Sequence, residues 1–233
     1  DDYRLDEGST RSFYEVFLKG LVHKHNNLMG VIQGFSSLIL YDEGISSEVR
    51  ENAQQMQDSA KRSSDLNRDV LTAAGCGRCE PERVELAGML DYWRGKAEEM
   101  CGAAGVPLHF EARQGLVPVR GESGKITEIY THLLRNAVES AKEVSGGSVA
   151  VDLFPPGEAS PGDNVDLFVR NSCEQLATED LERAFEPFHT TKGSEHFGLG
   201  LTAAAILAGQ MEQRLGLRFA DATMTAWLAL PPA

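Results

Sequence analysis

Leu21, His25, Leu28, Ile32, Phe35 and Ile39 recur with gaps of 4, 3, 4, 3 and 4. An α-helix turns once in about 3.6 residues, so a 3.5-residue apolar repeat lays a seam along one helix and demands a second helix to cover it. Tyr41-Asp-Glu-Gly-Ile-Ser-Ser interrupts the repeat. Gly44 can stop one helix there, and Ser46 or Ser47 can cap the next. Val49, Ala53, Met56 and Ala60 continue the spacing, and the second helix is expected to run to about Ala74, where Gly75-Cys-Gly closes it. A lone pair of helices leaves a wide apolar stripe uncovered. Two hairpins joined as a homodimeric four-helix bundle would bury it, as would a cap formed by the rest of the same chain.

Pro81, in Cys79-Glu-Pro-Glu-Arg, stops helix continuation, so residues 79–84 are expected to link a helical hairpin over 1–78 to a second domain over 85–233. That domain mixes two periods. Leu86 to about Ala104 and Lys125 to about Val144 read as helices, the latter with Ile126, Ile129, Leu133, Ala137 and Ala141 on one face. Val106–Phe110, Leu116–Val119, Ser148–Phe154 and Val165–Arg170 read as strands, and the prolines of the first two favour edge positions. A helical turn at Glu179–Phe185, a helix opened by Gly198 and a closing hairpin of Leu215–Phe219 with Thr223–Leu230 complete the pattern. The fold class expected is α+β: a helical hairpin, then a two-layer α/β sandwich.

Composition narrows the function. The chain has 233 residues, 22 basic against 35 acidic, for a net charge of −13. That balance argues against a general nucleic-acid or anionic-membrane surface. The most apolar stretch, Thr202–Gly209, falls far short of the roughly 20 residues that span a bilayer. The start, DDYRLDEGST, has no signal-peptide pattern and no initiating methionine, so a piece of a longer chain is expected. Four cysteines are too few for a disulfide scaffold, which points to a reduced, cytoplasmic setting. Cys76-Gly-Arg-Cys79 lacks the second ligand pair of a closed zinc site and reads as a helix end running into a loop.

Three segments carry residues suited to chemistry. In Val22-His-Lys-His-Asn-Asn-Leu-Met the heptad turns His25 toward the seam and His23 toward solvent. An exposed imidazole on a rigid helix is suited to nucleophilic work. In the helix from Lys125, Glu128, His132, Asn136 and Glu139 form a polar stripe opposite the apolar face. Asn136 can offer its amide oxygen to a hard cation such as Mg²⁺. In Phe185-Glu-Pro-Phe-His-Thr-Thr-Lys-Gly-Ser-Glu-His-Phe-Gly-Leu-Gly-Leu, Gly198 and Gly200 sit where a loop enters a helix, and bare N–H groups there can hold phosphate.

Together, in this order and at these distances, the segments resemble the catalytic core of two-component sensor histidine kinases. His23-Lys-His-Asn-Asn-Leu-Met is similar to the phosphoacceptor box that usually reads H-D-F-N-N-L-L, and His132-Leu-Leu-Arg-Asn-Ala-Val-Glu-Ser-Ala to the N box. Phe185-Glu-Pro-Phe-His-Thr-Thr-Lys resembles the F box, Gly198-Leu-Gly-Leu the second glycine box, and Leu228-Ala-Leu-Pro the last strand. The resemblance implies a dimerisation and phosphotransfer bundle followed by an ATPase domain of the gyrase/Hsp90/kinase/MutL type. It implies His23 as acceptor of the γ-phosphoryl group of Mg·ATP, which then passes to an aspartate of a response-regulator receiver domain. The nucleotide residues it implies are His132, Asn136, Glu139, Asn171, Thr191, Lys192, Gly198, Leu199 and Gly200, with Asn136 holding Mg²⁺. Asn26, Asn27 and Gln33 would face the regulator. Asn27, one turn after His23, would serve any phosphatase action.

Four departures mark this chain. Lys24 stands where the family has an acidic residue after the acceptor, and an ammonium cannot take a proton. His132 replaces the first asparagine of the N box. Asn171-Ser-Cys-Glu-Gln stands where D-x-G-x-G is usual, putting the Cys173 and Gln175 side chains where the backbone would approach nucleotide. His196-Phe197 precede the second glycine box. The readings are a working kinase, a histidine phosphotransferase or pseudokinase that no longer binds ATP, or a non-catalytic dimeric scaffold.

Overall fold

The computed structural model describes residues 7–193 and 196–233, with side chains from Tyr14 onward. It divides into two compact units, Asp1–Gly77 and Arg78–Ala233. The first is a hairpin of α1 (Glu7–Tyr41) and α2 (Ser47–Ala73). The Gly44 N–H donates to Asp42 Oδ1 at 2.8 Å, and the Val49 N–H donates to the Ser46 hydroxyl at 3.2 Å, the N-cap bond expected of that serine. The Arg50 guanidinium donates to the carbonyls of Leu40 and Asp42, which α1 leaves unpaired as it ends.

The expected single seam divides into two stripes. Val22 and Ser36 are buried, while Met29 and Ile32 share a groove with Asn52, Met56, Ser59 and Ala60 of α2. Leu21, Leu28 and Phe35 instead stand 53%, 62% and 63% exposed. With Tyr14, Phe17, Val31 and Leu38, also exposed, they form a second 3.5-residue repeat along α1. The sequence repeat straddled both: one edge meets α2, and the other is left on the surface of the isolated hairpin.

The second unit begins with β1 (Glu82–Val84), α3 (Ala87–Ala104), β2 (Leu108–Ala112), β3 (Val119–Gly121) and α4 (Ser123–Lys142). It continues with β4 (Val149–Phe154), β5 (Val165–Ser172), α5 (Thr178–Glu182), α6 (Gly200–Gln210), β6 (Arg214–Ala220) and β7 (Thr223–Leu230). The five-stranded sheet has the order β2-β4-β5-β7-β6, with β2 and β4 parallel and the other neighbours antiparallel. Its core lies between the helices and alternate residues of the strands, with Val151, Leu153, Leu167, Val169 and Leu228 facing Ile126, Ile129, Leu133 and Ala204. Among the described residues, no helix is long and apolar enough to cross a membrane.

α3 is fixed to α4 by one aromatic pair. Trp93 and Tyr130 are fully buried and stacked, with ring centroids 4.7 Å apart. The Trp93 indole N–H donates to Thr127 Oγ1 at 3.1 Å, and the Tyr130 hydroxyl to the Trp93 carbonyl at 2.9 Å. Each polar handle is thus satisfied as it is buried.

Several boundaries shift by a few residues from expectation, and at β1 and β3 the cause is plain. Glu82–Val84, within the expected linker, is a strand because Val119–Gly121, beyond α3 and β2 in the chain, pairs with it. The strand expected at Leu116–Val119 starts only at Val119, since Pro118 has no N–H to pair; its carbonyl accepts from the Ala233 N–H at 3.0 Å.

Candidate functional site

The predicted residues fall in both units. In the hairpin, His23, Asn26 and Asn27 are exposed on α1, whereas His25 is half-buried and Gln33 lies on a half-buried edge. His25 meets a residue that the sequence reading missed. Asn67, buried on α2, places Nδ2 2.8 Å from His25 Nδ1 and donates to Asn26 Oδ1 at 2.6 Å. With the amide donating, Nδ1 accepts and the ring proton sits on Nε2. Asn67 follows Ala53 and Ala60 at seven-residue intervals, and a polar residue at an inward heptad position was the signal that could have revealed it.

In the second unit, α4 and the segment after α5 converge on one point. Lys192 Nζ donates to the Asn136 side-chain oxygen at 2.7 Å, to the Asn136 carbonyl at 3.2 Å and to Glu139 Oε2 at 2.8 Å. His196 Nδ1 lies 3.4 Å from the same carboxylate oxygen. Residues from the N box and the threonine-lysine run are thereby joined. Thr191 is exposed beside them, and Thr190 Oγ1 accepts from the Lys192 N–H at 3.1 Å. The Asn136 amide oxygen and the Glu139 carboxylate are hard oxygen donors of the kind Mg²⁺ takes, and the Lys192 ammonium between them stands where a cation fits.

Glycine is required beside this cluster for a steric reason. Gly198 has φ 64°, and a Cβ there would lie 2.5 Å from the His189 carbonyl oxygen and 2.7 Å from the Phe188 carbonyl carbon. The Gly198 carbonyl in turn accepts from the Phe188 N–H at 2.9 Å, closing the loop. The helix expected from Gly198 opens two residues later, at Gly200, because a positive φ does not continue into a right-handed helix. Leu199 is its N-cap and is buried, and Thr202, also buried, donates to the Phe185 carbonyl at 3.0 Å.

His132 is a correction. The helical wheel puts it on a wet stripe, yet it is 8% exposed, because α6 packs across α4 there. A Cβ on Gly200 would come within 3.3 Å of His132 Nδ1, so the glycine lets the helix end sit against the imidazole. Asn171 and Cys173 are buried too, at 4% and 6% exposure. Asn171 Nδ2 donates to the Ser172 carbonyl at 2.9 Å, and burial holds the Cys173 thiol above its usual range. The structure thus brings Asn136, Glu139 and Lys192 together and sets His132 against Gly200. Asn171 is tied into β5. Ser194 and Glu195 lie outside the described residues.

Residues 121–232 match the family described as the histidine kinase-, DNA gyrase B-, and HSP90-like ATPase. The chain is 25% identical over 213 residues to the sensor kinase CckA of Brucella abortus, covering 87% of this chain and 22% of that protein. It is 23% identical over 215 residues to the sensor histidine kinase ZraS of Escherichia coli, covering 90% of this chain and 44% of that protein. The chain therefore spans under half the length of these relatives. Among solved structures it is similar to full-length ShkA in complex with AMPPNP, with a TM-score of 0.76, 21% identity, and coverage of 93% of this chain and 46% of that one. It is also similar to the Acinetobacter baumannii histidine kinase AdeS, with a TM-score of 0.59, 15% identity, and coverage of 87% and 93%. At these identities the solved structures speak for the fold, a helical hairpin followed by the α/β sandwich of histidine kinase ATPase domains.

Proposed function

We propose that this chain carries a histidine kinase catalytic core and works as a homodimeric autokinase that phosphorylates His23 and passes the phosphoryl group to an aspartate of a response-regulator receiver domain. The observation that carries the reading is the meeting of Asn136, Glu139 and Lys192 one turn along α4 from His132, against which Gly200 opens α6; an oxygen pair that would suit a cation, an ammonium that would suit phosphate and a helix N-terminus lie on one stretch of α4. His23, exposed on a rigid helix, is free to be approached. Its unprotonated ring nitrogen attacks the γ-phosphorus, the bond to the β–γ bridging oxygen breaks, and ADP departs with that electron pair. The ring proton passes to solvent, since Lys24 cannot take it. Mg²⁺, when bound, neutralises charge on the β- and γ-phosphates. Asn136 and Glu139 are the residues that would hold it, and Lys192, with the backbone N–H groups at Gly198, Leu199 and Gly200, would hold phosphate.

The homodimer reading rests on the exposed stripe of Leu21, Leu28, Val31, Phe35 and Leu38 on α1, which a second hairpin would cover as a four-helix bundle. The exposed Asn26 and Asn27 next to His23 would face the receiver domain, with Asn27 available to orient water for dephosphorylation.

One observation favours a second reading. Asn171 is buried and donates one amide N–H to the Ser172 carbonyl, and Cys173 is buried after it, so side chains stand where the resemblance would have backbone approach the adenine. On that reading the chain is a histidine phosphotransferase that takes its phosphoryl group from a phosphorylated regulator. Calorimetric titration with a non-hydrolysable ATP analogue and Mg²⁺ separates the two. Saturable binding that is lost in Asn136→Ala is the expected result; no binding at millimolar analogue overturns the kinase.

A further inference from the structure

An ammonium has three N–H donors, and all three on Lys192 are engaged: by the Asn136 carbonyl, the Asn136 amide oxygen and the Glu139 carboxylate. Their distances, 3.2, 2.7 and 2.8 Å, leave no donor for a phosphate. The Lys192 side chain is 23% and that of Glu139 31% exposed, so the pair is partly withdrawn from water and the carboxylate has a stake in keeping a cation beside it. Among the described residues, His196 Nδ1 also approaches the carboxylate, at 3.4 Å from Glu139 Oε2. The oxygen set that suits a divalent metal is therefore filled by the chain's own charge.

We propose that Lys192 serves as the resident cation of the nucleotide-free site and competes with the divalent ion for Asn136 Oδ1 and the Glu139 carboxylate. The inference rests on the reading of this site as one for metal and nucleotide. A +1 ammonium held by three hydrogen bonds is exchanged for a +2 ion bound to the same two side chains and completed by water and phosphate. The exchange frees Lys192 to contact phosphate, so metal entry and phosphate capture are one coupled step. Lys192 is thus a positioning residue, which keeps Glu139 paired and the site closed to free metal until both ligands arrive.

The test needs no nucleotide and so stands apart from whether ATP binds. Mn²⁺, a paramagnetic substitute for Mg²⁺, is titrated into the full chain and its free signal is followed by electron paramagnetic resonance. Lys192→Met is expected to bind Mn²⁺ at least about tenfold more tightly than the unaltered chain, a difference of about 1.4 kcal/mol. Asn136→Ala in the Lys192→Met background is expected to abolish the gain. Lys192→Arg, which keeps a cation in place, is expected to stay weak. Equal Mn²⁺ affinity with and without Lys192, or a gain that survives Asn136→Ala, overturns the proposal. Lys192 sits in a loop, and Asn136→Ala puts a stronger helix former on α4, so circular dichroism is expected to show no loss of structure in any variant.

Discussion

Lys192 Nζ lies 2.7 Å from Asn136 Oδ1, closing a contact between a loop and a helix that are 56 positions apart in the chain. Asn136 is thereby tied to a cation before any ligand arrives. The surrounding fold holds it there through the Gly198 turn and the packing of α6 on α4, and several consequences can be measured.

Gly198→Ala is expected to unsettle the second unit. The added Cβ would overlap the His189 carbonyl at 2.5 Å, and the φ of 64° is one that alanine resists. A left-handed residue alone costs about 1–2 kcal/mol, and relief of the overlap adds to it. Since each kcal/mol is worth about 2–4 °C in a domain of this size, a Tm at least about 4 °C lower by differential scanning calorimetry is expected. An unchanged Tm would mean that the loop can redraw itself.

Tyr130→Phe reads the buried phenol. Burial pushes the Tyr130 hydroxyl well above the ordinary tyrosine range. The unfolded chain then ionises at about pH 10 while the folded one keeps its proton, so the stability held below that pH is lost as pH rises beyond it. Removing the hydroxyl deletes one hydrogen bond, to the Trp93 carbonyl. Below pH 9 the variant is expected to be about 1 kcal/mol less stable in urea, and its alkaline decline above pH 10 is expected to be shallower.

Asn67→Ala is expected to lower hairpin stability by about 1–3 kcal/mol, because His25 Nδ1 and Asn26 Oδ1 lose their shared donor. In a His25→Ala background the same change is expected to cost less. A double-mutant cycle showing no coupling between positions 25 and 67 would contradict the bridge.

Leu28→Asp tests the exposed stripe. Leu28 is 62% exposed in the single hairpin, so the substitution leaves the interior of the hairpin untouched. Multi-angle light scattering is expected to shift from about twice the 25.4 kDa chain mass to the monomer value. A monomer before substitution would remove the bundle from the account.

Periodicity made both long helices legible in the sequence, and the break at Tyr41 placed their loop, because local spacing and the Ser46 cap decide such features without help from the rest of the chain. The choice of which edge of the repeat meets α2 was not legible, since Leu28 and Ile32 are equally apolar and only packing separates them. Asn136 was visible through its motif and Lys192 through its own, but their contact is a long-range event. The burial of His132 depends on α6 crossing α4 at Gly200, which no helical wheel contains. Strand β1 was missed for the same reason, as its partner β3 lies beyond α3 and β2.

Incubation of the full chain with Mg²⁺ and ATP radiolabelled at the γ-phosphate tests the central claim most directly. An acid-labile, alkali-stable label on the protein, absent from His23→Gln and from Asn136→Ala, is the predicted result. A chain that stays unlabelled with ATP yet takes label on His23 from a phosphorylated receiver domain would contradict the autokinase and establish the phosphotransferase in its place.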